Sequence, residues 1–368
     1  MSIGIYLHVP FCGKKCPYCD FYSGSASKPN MDRYTDYLEE QLLSYQGKGI
    51  TADTLYFGGG TPNLLGGERL SRLIHAAKNS FSLSTQSEIT VEGNPFSITE
   101  DFLRQIHNAG ANRLSLGMQS ANETELQFLG RRHTPEQVRT AVAMARDAGF
   151  SNLSLDLMLA IPHQTADSLC RSIAFCAELD VEHVSSYLLK IEPNTAFFAQ
   201  QNTLSLPEED EVSKRYRLAV SELQAAGYAQ YEISNFSKPG YEGRHNLKYW
   251  HCEPYLGFGP SAHSYFDGRR FYYPPSLEEY LSGKPPVQDG EGGSEEETAM
   301  LQLRLTEGLS DTLWQQKFGK PLPSALFRIA KRYEKPGLIQ FDSPTSFHFT
   351  PEGFLVSNLL IVELLEAF

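Results

Sequence analysis

His8-Val9-Pro10-Phe11-Cys12-Gly13-Lys14-Lys15-Cys16-Pro17-Tyr18-Cys19 decides how the rest of the chain is read. Three of the 6 cysteines fall in this one segment, spaced C-x3-C-x2-C. They follow directly on a short β-rich run, Ile3–Pro10, and so occupy the loop after a first strand. Three thiolates on one loop can each take an iron of a four-iron cubane, leaving the last iron open to a small molecule. An open coordination position marks a working metal site. Structural zinc and buried free thiols are the competing readings. Zinc wants one more Cys or His close by, and His8 is the near candidate.

Outward from this loop, one pattern recurs to about residue 240. The β-rich runs are Ile3–Pro10, Thr54–Gly58, Glu88–Glu92, Arg113–Met118, Leu153–Leu159, Val184–Ile191 and Gln230–Ile233. Between them lie amphipathic runs at Met31–Tyr45, Glu68–Ser80, Glu100–Ala109, Pro135–Ala148, Ala166–Glu178 and Glu208–Ala226. Gly110, Gly149 and Gly227 each follow an alanine, a helix-stop signal. Strand and helix alternating at this spacing read as βα units on a parallel sheet. The expected fold class is α/β, a full or partial (β/α) barrel in preference to a doubly wound sheet. Its active face would be the C-terminal end of the strands, where the cysteine loop lies.

Composition shifts after residue 240. Residues 241–290 are expected to form a connecting segment rich in Gly, Pro, Tyr and Phe. Residues 291–368 are expected to form a small α+β module with helices near Thr298–Leu305 and Leu326–Tyr333, a hairpin over Leu338–Thr350 and a last helix over Pro351–Leu365.

The net charge is -12, so the basic footprint of a nucleic-acid binder is missing and no nucleic-acid partner is expected. The apolar end, Leu359–Phe368, is short and broken by Glu363 and Glu366, so no membrane span is expected. Met1–Phe11 has no basic residue and does not read as a signal peptide, which makes the cytoplasm the expected location. In a reducing compartment, a tight cysteine triplet points to metal rather than disulfides.

Several polar residues sit in or at the ends of otherwise apolar strands. Gly58-Gly59-Gly60-Thr61 follows the second run, and three glycines let backbone N–H groups approach a ligand closely. Glu92, Gln119 and Asp156 lie at or near the ends of later runs. Unpaired polar groups in such strands are costly, so they should point at each other, at water or at a ligand. His245, in His245-Asn246-Leu247-Lys248-Tyr249-Trp250, stands beside aromatics; chemistry alone reads it as a satisfied core or surface histidine. Cys170, Cys176 and Cys252 read as structural thiols, and His263 as a loop-holding residue.

These motifs, in this order, resemble the radical S-adenosylmethionine (SAM) superfamily. More narrowly they resemble the group of oxygen-independent coproporphyrinogen III oxidase, on its heme-chaperone branch. The matching runs are IYLHVPFC, YFGGGTP, EGNP, NRLSLGMQS, LGRRHT, LDLM, IEPNT, YEISNF and HNLKYW, spread over nearly the whole chain. The resemblance implies a partial barrel of the radical SAM type. It implies a [4Fe-4S] cluster on Cys12, Cys16 and Cys19, with its open iron chelated by SAM, which reduction cleaves to a 5′-deoxyadenosyl radical. It implies that Gly59, Gly60 and Thr61 bind the SAM amino group, and that Glu92, Gln119 and Asp156 hydrogen-bond its ribose or methionine groups. Arg131 would pair with the SAM carboxylate, Tyr6 would orient SAM beside the cluster, and Tyr18 would seat the adenine. His245 would be an axial ligand to heme iron, with Tyr249 and Trp250 against the porphyrin.

Relatives usually carry Gly-Leu-Pro-Gly after the LDLM run, whereas this chain has Ala160-Ile161-Pro162-His163. Ala160 and His163 are expected to narrow the pocket near the adenosine. The oxidase branch carries a long N-terminal extension and a further cysteine two residues after the third; here that position is Phe21, and eleven residues precede Cys12. Both differences turn the reading from porphyrinogen oxidase towards a chaperone that binds heme and delivers it to a respiratory membrane enzyme. A radical SAM oxidase and a zinc-bearing scaffold are the alternatives. A homodimer and a transient membrane visit are compatible with the sequence, which leaves open whether SAM is consumed.

Overall fold

The computed structural model describes residues 2–368. Six parallel strands form its centre: β1 Ile3–Val9, β2 Ala52–Gly59, β3 Glu88–Gly93, β4 Arg113–Gln119, β5 Leu153–Leu159 and β6 His183–Leu188, neighbours in that order. Their aliphatic side chains alternate with polar ones. Ile5, Leu7, Leu55, Phe57, Val91, Leu114, Leu116, Leu153 and Leu155 are fully buried under the surrounding helices. Each such side chain contributes ~2 kcal/mol through burial. The period of two turns the residues between them to the other face of the sheet. That face carries Tyr6, His8, Thr54, Tyr56, Glu88, Glu92, Ser115, Asp156 and His183, where an ordinary (β/α) barrel packs branched aliphatics. The polar lining is what makes the interior a place for a ligand.

The helices begin and end where local chemistry dictates. Pro135–Asp147 starts on a capping box between Thr134 and Gln137, and Ala166–Glu178 on one between Thr165 and Ser168. Each box satisfies two otherwise unpaired donors, for about 1 kcal/mol. Gly110, Gly149 and Gly227 take φ of +115°, +104° and +91° at the helix ends, as the alanine–glycine signals predict.

The sheet differs from expectation at both flanks. The seventh β-rich run, Gln230–Ile233, is not a parallel barrel strand. Ala229–Gln230 and Asn235–Ser237 form an antiparallel pair instead, and the second of these lies beside β6. The parallel neighbour on the far side of β1 is Tyr255–Phe258, within the stretch expected to be a connector. Antiparallel strands His263–Phe266, Arg269–Tyr272 and Val287–Glu291 continue from it, so one sheet has twelve strands and two unjoined edges, an open barrel. His263 is thus part of a strand, stacked on Tyr272 at 5.0 Å, rather than a loop residue.

The last residues fold as a three-stranded antiparallel sheet, Leu309–Ser310, Ile339–Ser343 and Ser346–Phe349, with helices around it. Trp314 is buried there against Phe318 and Phe368. A bridge between Glu232 and Leu305 and a two-pronged pair of Arg217 with Glu352 (2.6 and 2.8 Å) tie this module to the barrel. Among the described residues, no helix is long and apolar enough to cross a membrane. Cys176 and Cys252 are buried, in keeping with their reading as structural thiols.

Candidate functional site

The C-terminal ends of the central strands open into a cavity of about 580 Å³. Cys12, Cys16, Cys19, Tyr18, Gly59, Gly60, Thr61, Glu92, Gln119, Arg131 and Asp156 all line it. Tyr6 lies one layer below, and His245 lies at the opposite end of the barrel.

The thiol loop folds over the cavity mouth. Cys16 and Cys19 are joined by a tight turn, the Cys19 N–H donating to the Cys16 carbonyl at 3.1 Å. Cys12 Sγ is 3.4 Å from the Thr61 hydroxyl, and the Arg131 guanidinium reaches Cys16 Sγ at 3.7 Å. Burial pushes the Cys19 thiol up, and the neighbouring Cys16 and Cys12 sulfurs add to the effect. A cation at this spot would reverse that order, because a coordinating thiol loses its proton. Among the described residues, no three His, Cys, Asp or Glu gather around one point closely enough to hold a single ion. A cubane does not ask for that, since it spreads three thiolates over three irons.

Below the loop lie two carboxyls. Burial pushes Glu92 up to about 7, against the hydrogen bond from Tyr56. Burial pushes Asp156 up to about 6, against the hydrogen bond from Ser115 at 3.1 Å. Two buried carboxyls poised near neutrality will ionise when a cation or a set of hydroxyl donors arrives. Arg131 faces them. Its Nη2 donates to the Gly117 carbonyl at 2.6 Å, while its buried Nε has no partner. An unmatched buried donor is expensive, which points to an acceptor from outside the chain.

Backbone shape completes the site. Gly59 has φ +102°, and a Cβ there would land in the His8 ring. A Cβ on Gly60 would come within 2.6 Å of the Phe11 carbonyl. The turn therefore runs too close to the cysteine loop for any side chain, and its N–H groups tie it down: Gly60 donates to the Val9 carbonyl at 2.9 Å and Thr61 to the Phe11 carbonyl at 2.8 Å. Gln119 sits just after a register shift in β4 with φ +69°, left-handed for a non-glycine residue. The distortion aims its side chain inward, where Oε1 accepts from the Tyr187 hydroxyl at 2.7 Å.

Three expectations are corrected. His245 is not at the cavity and not accessible: it is 1% exposed. Its Nδ1 is 2.8 Å from Thr54 Oγ1 and its Nε2 2.7 Å from the Tyr249 hydroxyl, so neither nitrogen is free for iron. Ala160 and His163 do not line the cavity. They hold φ of +59° and +66°, so what glycine offers at these positions is backbone freedom rather than room in the pocket. Tyr6 stands beneath the cavity, its hydroxyl 3.1 Å from His8 Nδ1.

The structure adds residues that the motifs did not single out: Tyr56, Ser115, Tyr187 and Asn235 all face the cavity. Alternation was the available signal, because Tyr56 is two residues before Gly58 and Ser115 two before Gly117.

Comparison with known proteins agrees with this geometry. The description "Radical SAM superfamily" matches residues 6–176, and "HemN C-terminal domain" matches residues 296–356. The chain is 36% identical over 366 residues to the heme chaperone HemW of Bacillus subtilis (strain 168), covering 96% of each. The chain belongs to the HemW family. It is also 37% identical over 274 residues to HemW of Escherichia coli (strain K12), 73% of this chain and 72% of that one. Coproporphyrinogen III oxidase (HemN) of Escherichia coli, a radical SAM enzyme, superposes with a TM-score of 0.83 over 99% of this chain and 90% of its own. At 23% identity that likeness shows the fold. Membership of the radical SAM superfamily implies a [4Fe-4S] cluster and SAM. This HemW-family cavity fits such a pair: three thiols at the mouth, an unpaired guanidinium donor, two protonatable carboxyls and a glycine turn with no side chain to fill the space.

Proposed function

We propose that this chain is a heme chaperone that holds a [4Fe-4S] cluster and SAM in its barrel, takes up heme, and passes it to a heme-requiring respiratory membrane enzyme. The observation that carries the proposal is the 36% identity to a heme chaperone along 96% of both chains. Cys12, Cys16 and Cys19 would hold three irons. Arg131 would bind the SAM carboxylate through its free Nε. Glu92 and Asp156 would accept from the SAM amino group and ribose hydroxyls, and the side-chain-free turn at Gly59, Gly60 and Thr61 would lie alongside the amino group. Gln119 would add a hydrogen bond from the side of β4, and Tyr18 would pack on the adenine. When bound, the cluster and SAM together supply one-electron chemistry. The chain's own part is to bind, orient and exclude water.

The cavity mouth also suits a flat amphipathic dianion such as heme. Phe21 (65% exposed) and Leu188 are exposed apolar residues of its lining, and Lys14 and Lys15 of the same lining would meet the propionates. Exposed apolar side chains at a cavity mouth rimmed by charged ones suit an amphipathic ligand. Phe21 also occupies the place where the oxidase branch has its further cysteine, which favours carriage of a porphyrin over its oxidation. The chain would work in the cytoplasm and visit the membrane at delivery.

Iron and heme measured on one anaerobically reconstituted sample test the proposal. The expected result is about four irons per chain together with saturable heme binding. Conversion of coproporphyrinogen III by the purified chain would overturn it in favour of the oxidase.

A further inference from the structure

The HNLKYW run closes the floor of the barrel. The N–H groups of Arg244 and His245 donate to the two carboxylate oxygens of Glu88, at 3.1 and 2.9 Å. Lys248 pairs with Asp53 and Glu253, each at 2.9 Å. Gly4, at the start of β1, leaves room for the imidazole; a Cβ there would press to 3.2 Å from His245 Cε1.

From this floor two lines of contact climb to the cavity. In one, the His245 ring stacks on Tyr56, centroids 5.1 Å apart and planes 25° apart, and the Tyr56 hydroxyl donates to Glu92 Oε1 at 2.7 Å. In the other, His245 stacks on Tyr6 at 6.4 Å, Tyr6 reaches His8 Nδ1, and the His8 ring lies beneath Gly59. His8 is fixed in turn by the Tyr22 carbonyl, 2.8 Å from its Nε2.

We propose that His245 is a positioning residue for the SAM cavity, holding the Glu92 carboxyl through Tyr56 and the Gly59 turn through Tyr6 and His8, and not an iron ligand. It rests on the reading of the cavity as a SAM site. The physical reason is packing: with the imidazole gone, the Tyr56 ring loses the surface it stacks on and can drop into the space left. Glu92 then loses the donor that favours its charged form. Burial keeps His245 neutral, pushing it down to about 3, so its two hydrogen bonds persist across the working pH range.

The test uses the full chain, reconstituted anaerobically, as wild type, His245→Ala, Tyr56→Phe and the double variant. SAM affinity should fall roughly tenfold in each single variant, and the double should lose no more than His245→Ala alone, because the Tyr56–Glu92 line is one of the two that His245 supports. The midpoint of SAM binding against pH should move upward, since the lost Tyr56 bond is one that lowers the Glu92 pKa. Iron content and heme binding should stay at wild-type level. Should His245→Ala fail to fold, His245→Gln carries the same test: it keeps a polar side chain for Thr54 and Tyr249 and removes the ring under Tyr56. SAM affinity within about twofold of wild type with an unmoved midpoint would overturn the inference. So would loss of heme binding with SAM binding intact, which would make His245 a ligand after all. A wild-type chain that binds heme and iron but no SAM would sink the reading of the cavity, and this inference with it.

Discussion

Arg131 and Cys16 touch: the guanidinium Nη1 is 3.7 Å from the thiol sulfur, so the arginine spans from the metal loop to the cavity wall. The Gly117 carbonyl fixes its other end, and its unpartnered Nε is left to meet a ligand. Arg131→Lys keeps the charge but replaces three spaced nitrogens by one, so it cannot meet Cys16, the Gly117 carbonyl and a ligand carboxylate together. SAM affinity measured by equilibrium binding should fall at least roughly tenfold, with iron content held.

Glu92 gives a pH signature. Its pKa in the folded chain, about 7, lies above its ordinary 4.5, so the folded state binds the extra proton. Stability of the cofactor-free chain attributable to this group is therefore full below pH 4.5 and is lost as pH rises through 7. Glu92→Gln mimics the protonated form. The variant should gain on wild type across that window, by up to ~3 kcal/mol at about 1.4 kcal/mol per pKa unit, in denaturant unfolding at a series of pH values. A difference independent of pH would show that Glu92 is not the group responsible. SAM binding near pH 6 should release protons from the wild type and fewer from the variant.

Gly59→Ala drives a methyl group into the His8 ring at a backbone angle of +102°. Overpacking and a disfavoured φ together should destabilise the chain by about 2–4 kcal/mol in denaturant unfolding. Iron uptake should fall as well, because the same turn abuts the cysteine loop through Thr61 and Cys12.

Ala160→Gly and His163→Gly go the other way. Both residues hold a left-handed backbone, which costs a non-glycine residue about 1 kcal/mol. Each variant should keep or raise stability by up to ~1 kcal/mol, after the unfolded-state entropy of glycine is set against the relieved strain. SAM affinity should not change, since neither residue lines the cavity.

The central strands were legible because two periods coincide in them. Leu153-Ser154-Leu155-Asp156-Leu157 alternates cleanly, and both ends of its strand match the structure. Helix limits were legible where caps exist, as at Thr165 and Gly110. The flanks were not. Tyr255–Phe258 carries glycine and aromatics typical of a loop, and only tertiary pairing with β1 makes it a strand. The cysteine loop, the glycine turn, Glu92, Gln119, Arg131 and Asp156 converge as their motif order implied. His245 shows the limit of that method. Its residue type suits heme iron, but the sequence carries no mark of which end of the barrel it faces. The bland chemical reading, a satisfied core histidine, is the one the hydrogen bonds bear out.

The most direct test of the whole account compares wild type with a Cys12→Ser, Cys16→Ser, Cys19→Ser variant, both reconstituted without oxygen and assayed for metal and for SAM affinity. The wild type should hold about four irons per chain and bind SAM; the variant should hold neither. Zinc at one per wild-type chain in place of iron, or SAM affinity unaltered by the three serines, would contradict it.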